Sequence, residues 1–161
     1  MSSLPPAKII VLGLGNDICG DDGIGIAAVR ILRGMLDDAC IAVEESSEAG
    51  LALVEILEGY DRALILDSIR TGTCPPGTII EMDTAQFRRV IAPSPHYAGL
   101  PEVLDLAERL ELRFPSDIRV LAMEVEDPYS IREGLTPCVA EALPRFVERA
   151  RSILAELRDS T

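Results

Sequence analysis

The chain has 161 residues, with 15 lysines and arginines against 27 aspartates and glutamates, for a formal net charge of −12. This length is typical of one domain that can bury a core of its own. The acidic balance argues against a nucleic-acid-binding protein, which needs a basic face, and against binding to an anionic membrane surface.

The first residues, the apolar runs and the cysteines indicate the cellular compartment of the protein. The first residues have neither the positive charge nor the apolar core of a signal peptide, and no apolar run approaches the roughly 18 residues of a membrane span. The four cysteines lie far apart, with no Cys-x-x-Cys pair: Cys19, Cys40, Cys74 and Cys138. This spacing favours reduced thiols over a disulfide framework or a structural zinc site. We therefore expect a cytoplasmic protein. We also expect it to be a monomer.

Strand and helix patterns alternate along the whole chain. Strands are predicted at residues 8–14, 40–44, 62–67, 78–82 and 118–123. Helices are predicted from near Asp21 or Asp22, over 49–57, over 102–110, and from Thr136 towards the C-terminus. In the first helix, Ile24, Ala27, Ala28, Ile31, Leu32 and Met35 recur at helical spacing.

This alternation predicts a single α/β domain over residues 1–161. We expect three layers, α/β/α, around a mostly parallel twisted sheet of about five strands. The fourth strand follows the turn Pro75-Pro76-Gly77 closely, so it is expected to run antiparallel at an edge. Pro144, inside the last helix, is expected to kink that helix or delay its start.

The loop over residues 15–25 is the most informative segment. It joins a buried strand to a helix and carries Asp17, Asp21 and Asp22 with no lysine or arginine. Open α/β folds place their chemistry in such turns. Three carboxylates would repel a phosphate and favour a cation or a polarised water.

A nucleotide site is the alternative for this loop. Gly13-Leu14-Gly15 begins a G-x-G-x-x-G pattern, but its third glycine would have to be Ile18. No Gly-Lys-Ser/Thr follows, so a Walker A loop fails as well. No nucleotide cofactor is expected.

Three residues form a candidate metal site. Asp22 follows the first strand, Asp67 ends the third predicted strand, and His96 is the single histidine of the chain, in a proline-rich loop. The carboxyl ends of parallel strands meet at one edge of a sheet, where open α/β proteins bind ligands. Two carboxylates and one imidazole suit a borderline divalent ion with open coordination positions.

Other interpretations of these residues stay open. Each residue could instead have a purely structural role. Asp22 could be a helix cap, Asp67 could cap a turn, and His96 could be a surface residue. Cys19 could be a soft ligand or a nucleophile, although no second histidine exists to serve as its base. A Ser-His-Asp triad could use Ser68 or Ser94, but there is no Gly-x-Ser-x-Gly elbow.

At these residues the chain resembles the maturation endopeptidases of nickel–iron hydrogenases. The resemblance runs over nearly the full length and is carried by the following segments: 10–16 with 20–25, Leu66-Asp67-Ser68-Ile69, the loop 94–100 around His96, and Gly134-Leu135-Thr136-Pro137. It implies an α/β/α protease that removes a C-terminal extension from the hydrogenase large-subunit precursor after nickel insertion. By this resemblance Asp22, Asp67 and His96 are both the metal-contacting and the catalytic residues, and the nickel is that of the precursor.

One segment departs from the family pattern. Many members carry Asp-Gly-Gly-Thr after the second strand, whereas this chain has Glu45-Ser46-Ser47-Glu48-Ala49-Gly50. In the family this loop is linked to recognition of the particular partner subunit, so the resemblance does not imply which hydrogenase is processed. A non-catalytic nickel- or partner-binding module on the same scaffold is the alternative function, and a nucleotide-using α/β enzyme is a weaker one.

Overall fold

A five-stranded sheet organises the computed structural model, which describes residues 6–87, 96 and 100–160. The strands are β1 (Ile9–Leu14), β2 (Ile41–Ser46), β3 (Arg62–Ile69), β4 (Ile79–Asp83) and β5 (Asp117–Glu124). Their order is β2-β1-β3-β5-β4. All neighbouring pairs are parallel except β4 with β5, so the predicted antiparallel edge strand is confirmed.

Helices cover both faces of this sheet. They are α1 (Ile24–Met35), α2 (Ala52–Leu57), the short α3 (Thr84–Phe87), α4 (Leu100–Arg109) and α5 (Pro137–Asp159). Side chains of α1 and α5 share one buried cluster with one face of the strands, and those of α2 and α4 share another with the opposite face. This is the predicted α/β/α arrangement. Within the described residues, no helix combines the length and apolarity needed to cross a membrane.

The first helix differs from its prediction in its start and its buried face. A 3-10 turn, Gly20–Gly23, precedes α1, and neither Asp21 nor Asp22 caps the helix. The face that packs on the sheet contains Ile24, Gly25, Ala28, Val29 and Leu32, whereas Ile31 and Met35 are exposed. The predicted stripe was therefore wrong at those two positions.

Several other elements differ by a few residues from their predicted bounds, and β3, α2 and α5 are the ones that bear on the site or on an explicit prediction. Strand β3 continues two residues past Asp67, because Ser68 and Ile69 still pair with Met123 and Glu124 of β5. Helix α2 begins three residues later than predicted. Helix α5 starts at Pro137 and runs through Pro144, so that proline does not delay its start.

Candidate metal centre at the carboxyl edge of the sheet

The candidate site lies where the strand order reverses. From β1 the chain moves to β2 on one side of the sheet and then to β3 on the other, so β1 and β3 flank the switch point. Open α/β sheets bind ligands in the crevice that this reversal creates. The last residue pair joining β1 to β3 is Gly13 with Leu66, and Asp67 comes directly after it.

Two glycines allow the first loop to lie tightly against this edge. Gly15 has a φ of +146°, and a Cβ there would lie 2.0 Å from the carbonyl oxygen of Asp22. A Cβ at Gly25 would lie 2.4 Å from the Leu14 oxygen and 2.3 Å from the Leu66 oxygen. Helix α1 therefore begins in direct backbone contact with β1 and β3, which fixes the loop that carries Asp22.

Asp22 accepts hydrogen bonds from residues at the ends of β1 and β3. The Asn16 backbone N–H donates to Asp22 Oδ2 at 2.9 Å, and the Ser68 hydroxyl donates to Asp22 Oδ1 at 2.7 Å. Asp22 is 3% exposed and Ser68 is 1% exposed. A buried carboxylate needs such partners, because an unpaired one would be strongly destabilising. Asp22 is thus oriented by Asn16 and Ser68 and does not cap a helix.

Asp67 and His96 complete the cluster. His96 Nε2 lies 3.2 Å from Asp22 Oδ2, and Asp67 Oδ1 accepts a 2.7 Å hydrogen bond from the Ser68 N–H. One ligand atom from each of Asp22, Asp67 and His96 lies within 4.8 Å of the other two. All three side chains are buried, so His96 is not a surface residue. The structure brings the three predicted residues together, and their metal-binding and catalytic roles stay predictions.

The charge of His96 is set by opposing effects. Burial lowers the pKa of His96, but its hydrogen bond with Asp22 and the charges of Asp67 and Asp22 outweigh burial. The result is a pKa raised above the ordinary value for histidine. Contact with the Glu48 backbone adds to this shift and connects the imidazole to the loop after β2. Two carboxylates and an imidazole at this spacing fit a borderline divalent cation.

Two buried carboxylates next to the site have roles that the sequence did not predict. Both oxygens of Asp21 accept hydrogen bonds from Thr136, one from its N–H and one from its hydroxyl, each at 2.7 Å. Glu124, at the end of β5, accepts from Thr71 and from the Gly72 N–H at 2.8 Å. Both carboxylates therefore hold loops at the edge of the sheet that carries the candidate site. The segment 134–137 was recognised in the sequence, but nothing there indicated its partner.

A polar groove of about 230 Å³ adjoins the first loop. Its walls include Gly15, Asn16 and Ser46, and its lining residue Arg30 donates to Glu45 at 2.9 Å and to Asp17 at 3.0 Å. Hydrogen bonding with Arg30 keeps the pKa of Glu45 below its usual range. The groove thus contains the start of the segment where this chain departs from the family pattern.

The remaining sequence hypotheses have different outcomes. Ser68 uses its hydroxyl to hold Asp22, which is a positioning contact. Ser94 lies outside the described residues. Cys19 is a partly buried free thiol in a short backbone pairing with Arg132.

Comparison with known proteins decides the family. A family model described as hydrogenase maturation protease matches residues 33–153. The chain belongs to the hydrogenase maturation protease family. It is 31% identical to the hydrogenase 2 maturation protease of Escherichia coli K12 over 95% of this chain and 92% of that protein. It is 29% identical to the hydrogenase expression/formation protein HupD of Rhizobium leguminosarum, over 93% of this chain and 76% of that protein.

Solved structures agree with this membership. The E. coli hydrogenase maturating endopeptidase HybD superposes with a TM-score of 0.79 at 27% identity, covering 92% of this chain and 93% of that one. The Thermococcus kodakarensis [NiFe] hydrogenase maturation protease HybD gives a TM-score of 0.69 at 25% identity, over 91% and 98% of the chains. The resemblance, the fold class and the peptidase class predicted from the sequence are confirmed.

Proposed function

We propose that this protein is an endopeptidase that removes the C-terminal extension of a nickel–iron hydrogenase large-subunit precursor after nickel insertion. Family membership supports the peptidase activity and the hydrogenase substrate. The observation that carries the nickel-dependent part is the buried cluster of Asp22, Asp67 and His96, with ligand atoms within 4.8 Å of one another. The cluster contacts nickel that is part of the substrate.

The chemistry of the donors explains how cleavage would depend on nickel. Nickel held by cysteine thiolates in an unfinished site still has open coordination positions. Asp22, Asp67 and His96 offer two carboxylates and an imidazole for those positions, a donor set that divalent first-row metals accept. A precursor without nickel would offer nothing to these groups, so it would bind weakly at the site.

Peptide cleavage at this site needs a water molecule to add across the scissile C–N bond. A carboxylate of the cluster can take a proton from that water as a general base. The substrate's nickel can polarise the peptide carbonyl. Asn16 and Ser68 hold the Asp22 carboxylate in place for either route.

The cysteines and the proposed substrate support a cytoplasmic location. Cys19, Cys40, Cys74 and Cys138 are all free thiols, which suits a reducing compartment. We place the protein in the cytoplasm, where a freshly synthesised precursor would meet it.

The decisive experiment compares nickel-loaded and nickel-free precursor from the same organism. Each is incubated with the protein, and the mass of the precursor is followed. We expect loss of a C-terminal peptide from the nickel-loaded form alone. No cleavage of the loaded precursor would contradict the protease assignment, and binding without cleavage would favour the non-catalytic nickel- or partner-binding module. Equal cleavage of both forms would contradict the nickel-dependent recognition.

A further inference from the structure

An exposed apolar patch lies beside the candidate site. It consists of exposed side chains on two neighbouring loops: Ile18 on the first loop, and Tyr129 and Ile131 on the loop after β5, which are 58%, 60% and 84% exposed, respectively. Large apolar side chains that are exposed and adjacent often mark a site where a protein binds a partner.

The backbone places Ile18 and Ile131 side by side. Cys19 pairs in parallel with Arg132, the Arg132 N–H donates to the Ile18 oxygen at 3.0 Å, and the Gly20 N–H donates to the Arg132 oxygen at 2.9 Å. In this register Ile131 is opposite Ile18. The Arg132 side chain lies over Gly20.

The two loops that carry the patch are fixed in place. Asp127 accepts hydrogen bonds from the N–H groups of Tyr129 and Ser130, at 2.9 and 3.1 Å. At the other end of this loop, Thr136 binds the buried Asp21. The patch is therefore a preformed surface, which reduces the entropy lost when a partner binds it.

The first loop carries both Ile18 of the patch and Asp22 of the cluster where the substrate is proposed to react. Ile18 lies in the same short loop as Asn16, whose N–H holds Asp22, and Gly20 is two residues before Asp22. The cluster itself is buried and offers little contact area: Asp22 is 3%, Asp67 0% and His96 7% exposed. A stable protein–protein interface buries about 800 Å² on each partner. Binding of a protein substrate therefore has to use the surface around the cluster.

We infer that Ile18, Tyr129 and Ile131 form a docking surface for the hydrogenase large-subunit precursor, on an apolar area next to its C-terminal extension. This inference rests on the proposed function. The patch supplies affinity for the precursor without touching the reacting atoms. It should therefore affect substrate binding and KM, and leave kcat nearly unchanged.

The test compares the double variant Ile18→Ser/Ile131→Ser with Leu110→Ser. Leu110 follows α4 and is 58% exposed, as Ile18 is, but its segment packs near the start of β5, at the opposite edge of the sheet. The dissociation constant for nickel-loaded precursor and the kinetics of its processing are measured for each. For the double variant we expect Kd and KM to rise about tenfold, with kcat within about twofold of wild type, because buried apolar contacts are lost. Leu110→Ser should match the wild type.

A single variant separates lost binding from misfolding. Ile131→Ser changes a side chain that is 84% exposed, so it removes almost no packing within the fold. It should raise Kd about threefold at an unchanged melting temperature, as a smaller loss of the same contact.

Each outcome bears on one proposal or both. Unchanged Kd in the double variant overturns the docking surface while leaving the protease assignment intact. Wild-type protein that binds the loaded precursor without cutting it overturns the protease assignment, and the Kd comparison still decides the docking surface. Wild-type protein that neither binds nor cuts overturns both.

Discussion

At the scale of single residues, the cluster of Asp22, Asp67 and His96 buries charged groups that need compensating partners. Asp22 and Asp67 are two buried carboxylates close together, and such a pair is unfavourable without a cation. The raised pKa of His96 favours an imidazolium, whose charge offsets part of this repulsion. Ser68 adds a hydroxyl donor to Asp22 and a backbone donor to Asp67. One serine thus orients both carboxylates.

The first prediction concerns the three candidate ligands. Asp22→Asn, Asp67→Asn and His96→Ala should each reduce processing of nickel-loaded precursor by at least about a hundredfold, since even outer partners of metal ligands cost about 10–100-fold. Processing rates are measured by mass spectrometry, alongside melting temperatures that report on the fold. Asp117→Asn is the matched control, because Asp117 pairs with Arg119 at the opposite edge of the sheet. Near wild-type processing in any one ligand variant would remove that residue from the site.

At the scale of elements, long-range side-chain contacts hold the first loop to α5. The Asp21 carboxylate receives two hydrogen bonds from Thr136, although the residues are 115 positions apart in the chain. Thr136 directly precedes α5, but its hydroxyl binds Asp21 instead of capping that helix. The contact therefore fixes Asp22 and the start of α5 relative to each other.

The second prediction tests this contact. Thr136→Val should lower the free energy of unfolding by about 1–3 kcal/mol, because one oxygen of a buried carboxylate loses its hydroxyl donor. Thr136→Ser keeps that hydroxyl and should recover most of the stability. Urea denaturation of the three proteins measures the difference. If the valine variant is as stable as the serine variant, the hydroxyl contact contributes nothing to the fold.

A second carboxylate joins elements at the opposite edge of the sheet. Asp61, just before β3, accepts a 2.8 Å hydrogen bond from the Lys8 N–H and a 2.9 Å bond from Arg113. The Lys8 N–H and the Arg113 guanidinium together hold the pKa of Asp61 below its usual range. A carboxyl group with a lowered pKa in the folded state stabilises the fold above its unfolded pKa. That stabilisation is lost as the pH falls through the folded value.

The third prediction follows from the lowered pKa of Asp61. Asp61→Asn should melt below the wild type at neutral pH, and the difference should shrink as the pH falls below about 4, the unperturbed pKa of aspartate. Thermal melts between neutral and acidic pH measure it. Arg113→Gln removes one of the partners and should show part of the same pH dependence. A difference in melting temperature that stays constant down to acidic pH would rule out the Asp61 carboxylate as its source.

At the scale of the whole molecule, local patterns predicted the layers and strand types well. Apolar runs identified all five strands, and the short turn before β4 identified the antiparallel edge. The end of β3 was missed because Asp67 and Ser68 are polar, whereas pairing with β5 keeps them in the strand. The exposed face of α1 was missed because Ile31 and Met35 have the right spacing, yet they are 41% and 51% exposed.

The candidate site was predictable only in part, for a physical reason. Strand ends meet at one edge of a parallel sheet, so Asp22 and Asp67 could be placed together from the strand pattern alone. His96 was proposed as the third ligand because it is the single histidine of the chain, and the family resemblance supported that choice, but no periodic pattern fixes where its loop lies. The partners of the cluster, Ser68 and Asn16, and the Asp21–Thr136 contact depend on atomic distances that no local pattern encodes.

The close backbone packing at Gly15 and Gly25 has a kinetic consequence for the proposed function. Helix α1 lies directly on the oxygens of Leu14 and Leu66, and the Asp22 carboxylate already accepts hydrogen bonds from Asn16 and Ser68, so Asp22 is held in place before a substrate arrives. Loaded and empty precursors would then collide productively with the same surface at similar frequency. Nickel would act on the lifetime of the complex, so the enzyme would distinguish finished from unfinished precursors by how slowly each one leaves.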